Sequence, residues 1–159
     1  MTPAIKALER AKVRFTLHRY EHESSAESFG KETVTKLGVP PERVFKTLVA
    51  AGDNGRLVMA MVPVSGRLNV KALAAAMKCK RADLADPAKA EGATGYVVGG
   101  ISPLGRRKAL PAYIDRSAGE LPTVFISAGR RGMQIELAPA DLIRLTRATP
   151  ADLAADEKW

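Results

Sequence analysis

The chain reads as an α+β fold with a mixed, largely antiparallel sheet. Three observations predict this. Helical and strand patterns are interleaved along the 159 residues. Two strand pairs are joined by tight turns, Gly52-Asp53-Asn54-Gly55 and Ala128-Gly129-Arg130-Arg131-Gly132, which suits antiparallel neighbours better than a doubly wound parallel sheet. There is no internal repeat, low-complexity stretch or Ser/Gly linker, so residues 1–159 are expected to fold as one domain.

Each element has a local cause. Thr2 is an N-cap and Pro3 a first helical residue, with Ile5 and Leu8 supplying an apolar stripe, so residues 3–12 read as a helix. Residues 13–20 alternate apolar and polar, which places Val13, Phe15 and Leu17 on one face of a strand. Ser24 to Leu37 reads as a second helix ended by Gly38, and Pro40-Pro41 blocks its continuation. Val44 to Ala51 and Leu57 to Val64 form a hairpin. Asn69 caps an Ala- and Leu-rich helix through Met77, and Asp86-Pro87 opens a short one that Gly92 ends. Tyr96-Val97-Val98 reads as a short strand entering the glycine-rich segment 99–105. Strands are expected at 111–115, 123–127 and 133–137, followed by a helix from Pro139 through Leu145 and a frayed or briefly helical tail.

Composition narrows the function. Aromatics are 5% of the chain, too few for a protein that stacks many bases of a single strand on rings. The single cysteine, Cys79, excludes a disulfide framework, and two histidines leave little for a metal centre. The balance of 25 Lys+Arg against 17 Asp+Glu, a formal +8, favours a polyanionic partner. The basic residues cluster at Lys78, Lys80 and Arg81, at Arg106, Arg107 and Lys108, and at Arg130 and Arg131. A folded surface could gather them. Without a signal-like N-terminus or an apolar run of membrane-spanning length, the cytoplasm is the expected compartment.

Lys46 is the first candidate for chemistry. Strand periodicity puts it between Val44 and Leu48, where an ammonium must either meet an anion or snorkel to solvent. The segment Gly99-Gly100-Ile101-Ser102-Pro103-Leu104-Gly105 is either a wide connection or a loop whose amides orient a carbonyl or oxyanion. Ser127-Ala128-Gly129-Arg130-Arg131-Gly132 is either a solvated hairpin or a phosphate or ribose contact. Cys79, between Lys78 and Lys80, is either a structural residue or a nucleophile. His18 and His22 have the four-residue spacing of a helical metal pair, yet lie on a strand and its end.

Several segments carry a resemblance: Met1-Thr2-Pro3-Ala4, Tyr20-Glu21-His22, Phe29-Gly30, Val44-Phe45-Lys46-Thr47-Leu48, Ala85-Asp86-Pro87, the run from Thr94 to Gly105, and Arg131-Gly132. Over nearly its whole length the chain resembles the YbaK family of aminoacyl-tRNA deacylases, related to the editing domain of bacterial prolyl-tRNA synthetases. The GxxxP pattern of that family falls on Gly99 to Pro103. The resemblance implies a barrel-like curved sheet with flanking helices. It implies a trans-editing deacylase that removes cysteine from Cys-tRNA(Pro), with Cys-tRNA(Cys) as a further substrate, and needs no cofactor or metal. Lys46 falls on the family's essential lysine and would hold the terminal ribose-phosphate, while the Gly99 and Gly100 amides would orient the carbonyl. Tyr20, Phe29, Thr47 and Ser127 fall on pocket positions, joined by Ile101, Ser102 and Pro103 of the loop and Gly129 of the turn. Gln134 stands where relatives often carry an aspartate. The substrate cysteine's own thiol is the expected nucleophile. The expected partners are the aminoacyl-tRNA acceptor end, contacted by the three basic clusters, and prolyl-tRNA synthetase, with no role for DNA or a membrane. The competing readings are a deacylase for alanyl or seryl esters using water or the ribose 2′-hydroxyl, a tRNA- or synthetase-binding module without turnover, and a Cys79-dependent hydrolase.

Overall fold

The computed structural model describes residues 1–23 and 28–156. Its helices are α1 (Pro3–Ala11), α2 (Phe29–Leu37), α3 (Val70–Met77), α4 (Pro87–Thr94) and α5 (Pro139–Thr146). Its strands are β1 (Thr16–Arg19), β2 (Phe45–Gly52), β3 (Leu57–Pro63), β4 (Gly66–Leu68), β5 (Ala82–Leu84), β6 (Ala112–Asp115), β7 (Val124–Ser127), β8 (Met133–Leu137), β9 (Thr149–Ala151) and β10 (Ala154–Asp156). The Thr2, Ser28 and Asn69 side chains each accept a first-turn amide, which sets where α1, α2 and α3 begin.

The architecture is α+β, and most strand pairings are antiparallel. The central sheet has the order β5-β2-β3-β6-β9. Its β2 pairs with β3 and β5 antiparallel, whereas β3–β6 and β6–β9 are parallel. A second sheet, β1-β8-β7, is antiparallel throughout, and β4 pairs with β10. The sheets do not close into a barrel. Among the described residues, the central and second sheets are joined through one isolated parallel bridge, Val44 to Phe125. Residues of both sheets near that bridge, Lys46 and Thr47 of β2 with Ser127 of β7 and Gln134 of β8, line a common cavity.

Burial follows periodicity. In β3, Met59 and Met61 enter the main core, while Val58, Ala60 and Val62 enter a second core under α3. A strand covered on both faces must be a continuous apolar run, and Leu57-Val58-Met59-Ala60-Met61-Val62 is one. In β7 and β8, Val124, Ile126, Ile135 and Leu137 face the main core. Phe125, Ser127, Gln134 and Glu136 therefore share the opposite face. Phe125 packs there with Val44 and Val64 beneath Val34 and Leu37 of α2.

Some expected elements differ. β1 starts at Thr16 because its ladder begins opposite Glu136, although Val13 is still buried ahead of it. Residues 96–98 form no strand. The buried Tyr96 hydroxyl donates to the Leu104 carbonyl at 2.6 Å, and the chain turns back with Val97 exposed. The helix expected to end at Gly92 continues to Thr94, where Gly95 (φ +81°) stops it. The tail forms β9 and β10 rather than a helix, tied by Asp115, whose carboxylate accepts the Leu153 and Ala154 amides at 2.9 Å each. The expected onset of α2 at Ser24 lies outside the described residues. Among the described residues no helix is long and apolar enough to cross a membrane.

Candidate active site

A cavity of about 510 Å³ opens where the N-terminal turn of α2, strand β2, the loop 97–101 and the outer face of β7 and β8 meet. Two close packings shape it. A Cβ on Gly30 would lie 2.8 Å from Val64, so the glycine lets α2 sit down on the end of β3. Gly99 has φ +94°, and a Cβ there would lie 2.3 Å from the Phe29 ring and 2.8 Å from Arg131 Nε. Only glycine meets both demands. The Arg131 guanidinium lies 4.4 Å from the Phe29 ring centroid and donates to the Val98 carbonyl at 2.6 Å. Loop, ring and guanidinium thus form one stacked wall.

Lys46, Thr47, Phe29, Gly99, Ile101 and Ser127, six of the candidate residues from four segments, all line the cavity. Lys46 is half-buried and pairs across the sheet with Val62. The Ser127 hydroxyl donates to the Gly100 carbonyl at 2.9 Å and accepts the Gly129 amide at 3.0 Å, which fastens loop to hairpin.

Other expected site residues stand behind this wall. The Gly100 amide already donates to the Val97 carbonyl at 2.9 Å, so it does not present a donor to a substrate carbonyl. The Gly99 amide has no hydrogen-bond partner among the described residues. Ser102 is fully buried, its hydroxyl accepting the Leu104 amide, and Pro103 is buried beside it. Gly129 (φ +103°) meets Tyr96 rather than the cavity. Tyr20 also acts from behind. The Thr33 hydroxyl donates to the Phe29 carbonyl at 2.9 Å, so in the 2.7 Å Tyr20–Thr33 contact the phenol is the donor. Burial pushes the Tyr20 phenol up from its ordinary value.

The basic clusters separate. Arg130 and Arg131 adjoin the cavity wall. Arg106 donates to the Pro103 and Leu110 carbonyls and is an internal brace rather than a surface contact. Arg107 and Lys108 dock on the end of α4, their amides donating to the Thr94 and Ala93 carbonyls. Lys80 and Arg81 line a second concavity around α3 and β5, and Lys78 ends α3. Residue 52 of β2, against which that region packs, lies six residues from Lys46, roughly 20 Å along a strand.

Sequence reasoning did not place Gln134 or Thr33 on the wall, and the structure does. It also missed two contacts between a histidine and a carboxylate. His22 Nδ1 lies 2.6 Å from Glu32, which also accepts the Glu23 amide at 2.8 Å. Desolvation raises the Glu32 carboxyl, but the amide and the imidazole outweigh it and hold the group below its ordinary value. His18 Nε2 lies 2.9 Å from Glu136. Among the described residues no His/Cys/Asp/Glu cluster could hold a metal ion.

Fold and cavity define the class. Residues 23–145 match the aminoacyl-tRNA editing domain family, and the chain belongs to it. It is an enzyme of aminoacyl-tRNA editing. Among its relatives, EbsC of Enterococcus faecalis, assigned as a Cys-tRNA(Pro)/Cys-tRNA(Cys) deacylase, is 36% identical over 98% of this chain and 94% of its own. A proline–tRNA ligase of Moorella thermoacetica is 35% identical over 65% of this chain, which corresponds to 18% of the ligase. Among solved structures, one described as a trans-editing enzyme for prolyl-tRNA synthetase superposes with a TM-score of 0.81 at 25% identity, covering 98% of this chain and 99% of that one. A protein described as hypothetical, APE2540, shares the fold with a TM-score of 0.87 at 23% identity, over 97% of this chain and 100% of its own.

Proposed function

We propose that the chain is a trans-acting deacylase that removes cysteine from mischarged Cys-tRNA(Pro), with Cys-tRNA(Cys) as a second substrate. One observation carries this reading. The cavity presents Lys31 and Lys46, neutral polar groups and apolar walls, but its described lining contains no His, Cys, Asp or Glu. A pocket so composed supplies position and electrostatics, and the reacting group comes from the substrate.

Lys46 holds the ribose-phosphate of the terminal nucleotide, and the Gly99 amide donates to the ester carbonyl oxygen. Phe29 and Ile101 flank the aminoacyl group. The substrate thiol sulfur then attacks the carbonyl carbon. The S–C bond forms, the ester C–O bond breaks, and the thiol proton passes to the ribose oxygen, releasing a four-membered thiolactone. Orientation of this kind is worth on the order of 7–11 kcal/mol at best. An alanyl ester of similar size lacks the thiol and survives.

Prolyl-tRNA synthetase is the proposed partner that supplies tRNA identity. The similarity to part of a proline–tRNA ligase supports this, and such a complex belongs in the cytoplasm.

The test is a deacylation panel of Cys-, S-methyl-Cys-, Ala- and Ser-tRNA(Pro), with the released product identified. Turnover of Cys-tRNA(Pro) alone, with thiolactone as product, is expected. Equal hydrolysis of the S-methylated or alanyl ester would replace the thiol by water or the ribose 2′-hydroxyl. No turnover of any ester would reduce the chain to a binding module.

A further inference from the structure

The fold treats polar groups in the cavity and behind its wall differently. In the cavity, Gln134 Oε1 and Thr47 Oγ1 are buried without a hydrogen-bond partner, which leaves them to a ligand. Behind Phe29 the polar groups are engaged. Glu32, 7% exposed, is not among the described lining residues. One of its carboxylate oxygens lies 2.6 Å from His22 Nδ1, and the other accepts the Glu23 amide at 2.8 Å. The His22 imidazole in turn packs on the Phe29 ring, with centroids 5.6 Å apart and planes tilted by 44°.

A second tie reaches the same residue through its backbone. The Tyr20 hydroxyl donates to the Thr33 hydroxyl, which donates to the Phe29 carbonyl. Both ties start on residues 20–22, and that stretch is itself fixed. The Tyr20 amide donates to the Gly132 carbonyl at 2.9 Å. A Cβ on Gly132 would lie 2.6 Å from the Tyr20 carbonyl oxygen and 3.6 Å from His22 Cβ. Burying a carboxylate is costly, and an apolar side chain of the same volume would fill the space behind α2 without that cost. What an apolar side chain cannot do is grip one atom of His22. The grip ends on a ring that lines the cavity and packs so closely on Gly99 that a Cβ there would lie 2.3 Å from it. The position of the ring therefore sets where the Gly99 backbone can lie.

We propose that Glu32 and His22 are positioning residues of this site. Glu32 holds the His22 imidazole, the imidazole holds the Phe29 ring, and the ring holds the Gly99 backbone, whose amide meets the ester carbonyl. The kinetic consequence rests on the deacylase reading above. The coupling of Glu32 to Gly99 does not.

The experiment pairs steady-state deacylation of Cys-tRNA(Pro) with the NMR amide resonance of Gly99, both on the full chain. Glu32→Ala and His22→Ala should each lower kcat/KM roughly tenfold, since a misplacement of ~1 Å can cost ~10²-fold. Each should also shift the Gly99 resonance. Glu32→Gln can accept the Glu23 amide and donate to a neutral imidazole. It should restore both readouts to near wild type while leaving the protein less heat-stable. In a Phe29→Ala background, Glu32→Ala should cost no more than about twofold further, because an effect carried by the ring disappears with the ring. A folded Glu32→Ala protein with a lower melting temperature, an unchanged rate and an unmoved Gly99 resonance makes the carboxylate merely structural and overturns the proposal. So does an equal rate loss with and without the ring, or a Glu32→Gln protein no faster than Glu32→Ala. Where Glu32→Ala does not fold, His22→Ala decides by the same two readouts. If the wild type cleaves no ester, the deacylase reading fails, and the Gly99 resonance alone decides whether Glu32 acts on the loop.

Discussion

Two concave regions lie toward opposite ends of β2. The cavity around Lys46 has buried polar atoms without partners and walls locked by Gly30, Gly99 and Arg131. The concavity around Cys79, about 810 Å³, balances Lys71, Lys80 and Arg81 against Asp53 and Asp83. There the Cys79 thiol donates to the Arg81 carbonyl at 3.2 Å. The second region holds the chain's one thiol, but its charged side chains, Asp53, Lys71, Lys80, Arg81 and Asp83, are all exposed to solvent. A solvated charge asks nothing of a ligand, whereas a polar atom buried without a partner does.

The largest expected effect tests this contrast directly. Lys46→Ala should lower kcat/KM on Cys-tRNA(Pro) by about one to two decades, for a charge-assisted contact worth ~1.5–3 kcal/mol. Cys79→Ala should leave it unchanged. Loss of activity in folded Cys79→Ala with Lys46→Ala still active would exchange the roles of the two regions. Next in size is the salt response. If ~3–4 phosphates are neutralised, tRNA affinity should fall with a log–log slope of about −2 to −4. Arg130→Ala, beside the cavity, should make that slope shallower by about one, whereas Lys80→Ala should not. Equal effects would mean that tRNA reaches both regions.

Gly99→Ala places a methyl group inside the Phe29 ring and forces a left-handed residue. It should destabilise the protein by about 1–3 kcal/mol and reduce activity through the displaced wall. Gly92→Ala, where a Cβ meets nothing within 4 Å, is the matched control and should leave melting temperature and rate near wild type. The smallest effect is electrostatic. Because the folded Glu32 carboxyl lies below its ordinary value, its contribution is present above the unfolded value near pH ~4.3 and disappears as pH falls through the depressed one. Glu32→Gln should lower the melting temperature at pH 7 by about 2–4 °C per kcal/mol lost. The two proteins should converge in acid, and a difference that persists at low pH would mean that packing, not charge, is responsible.

What could be read from the chain was whatever local pattern decides. The caps at Thr2 and Asn69, the Gly52–Gly55 turn and the alternation through residues 133–137 each act within a few residues. β4, β5, β9 and β10 are three residues each, too short for periodicity, and β4 forms only because β10 returns to it from ninety residues away. Val97-Val98 carries strand propensity, but the buried Tyr96 turns the chain before a partner is met. In the site, Lys46 was legible as a cation on an apolar strand, and Gly99 as a glycine in a motif. The engagement of the Gly100 amide and of Arg106 was not, because it depends on which carbonyls the fold brings near. Gln134 stood out only as a departure from a family pattern. Its unpaired carboxamide is a property of the surrounding wall.

Both ends of the described fold are tied to its middle. The Thr2 hydroxyl donates to the Ala128 carbonyl at 2.5 Å, and β10 completes a sheet with β4. During synthesis this has a kinetic consequence. α1 emerges from the ribosome early, yet the hairpin that holds it in place appears more than a hundred residues later, and β4 waits for residues 154–156. The half-made chain therefore exposes the apolar face of α1 and an unpaired β4 edge for most of its translation. Loops closed over such separations slow folding and lengthen exposure to aggregation. At ~5–20 residues per second, that interval lasts on the order of ten seconds, a window in which holdase chaperones would meet this protein.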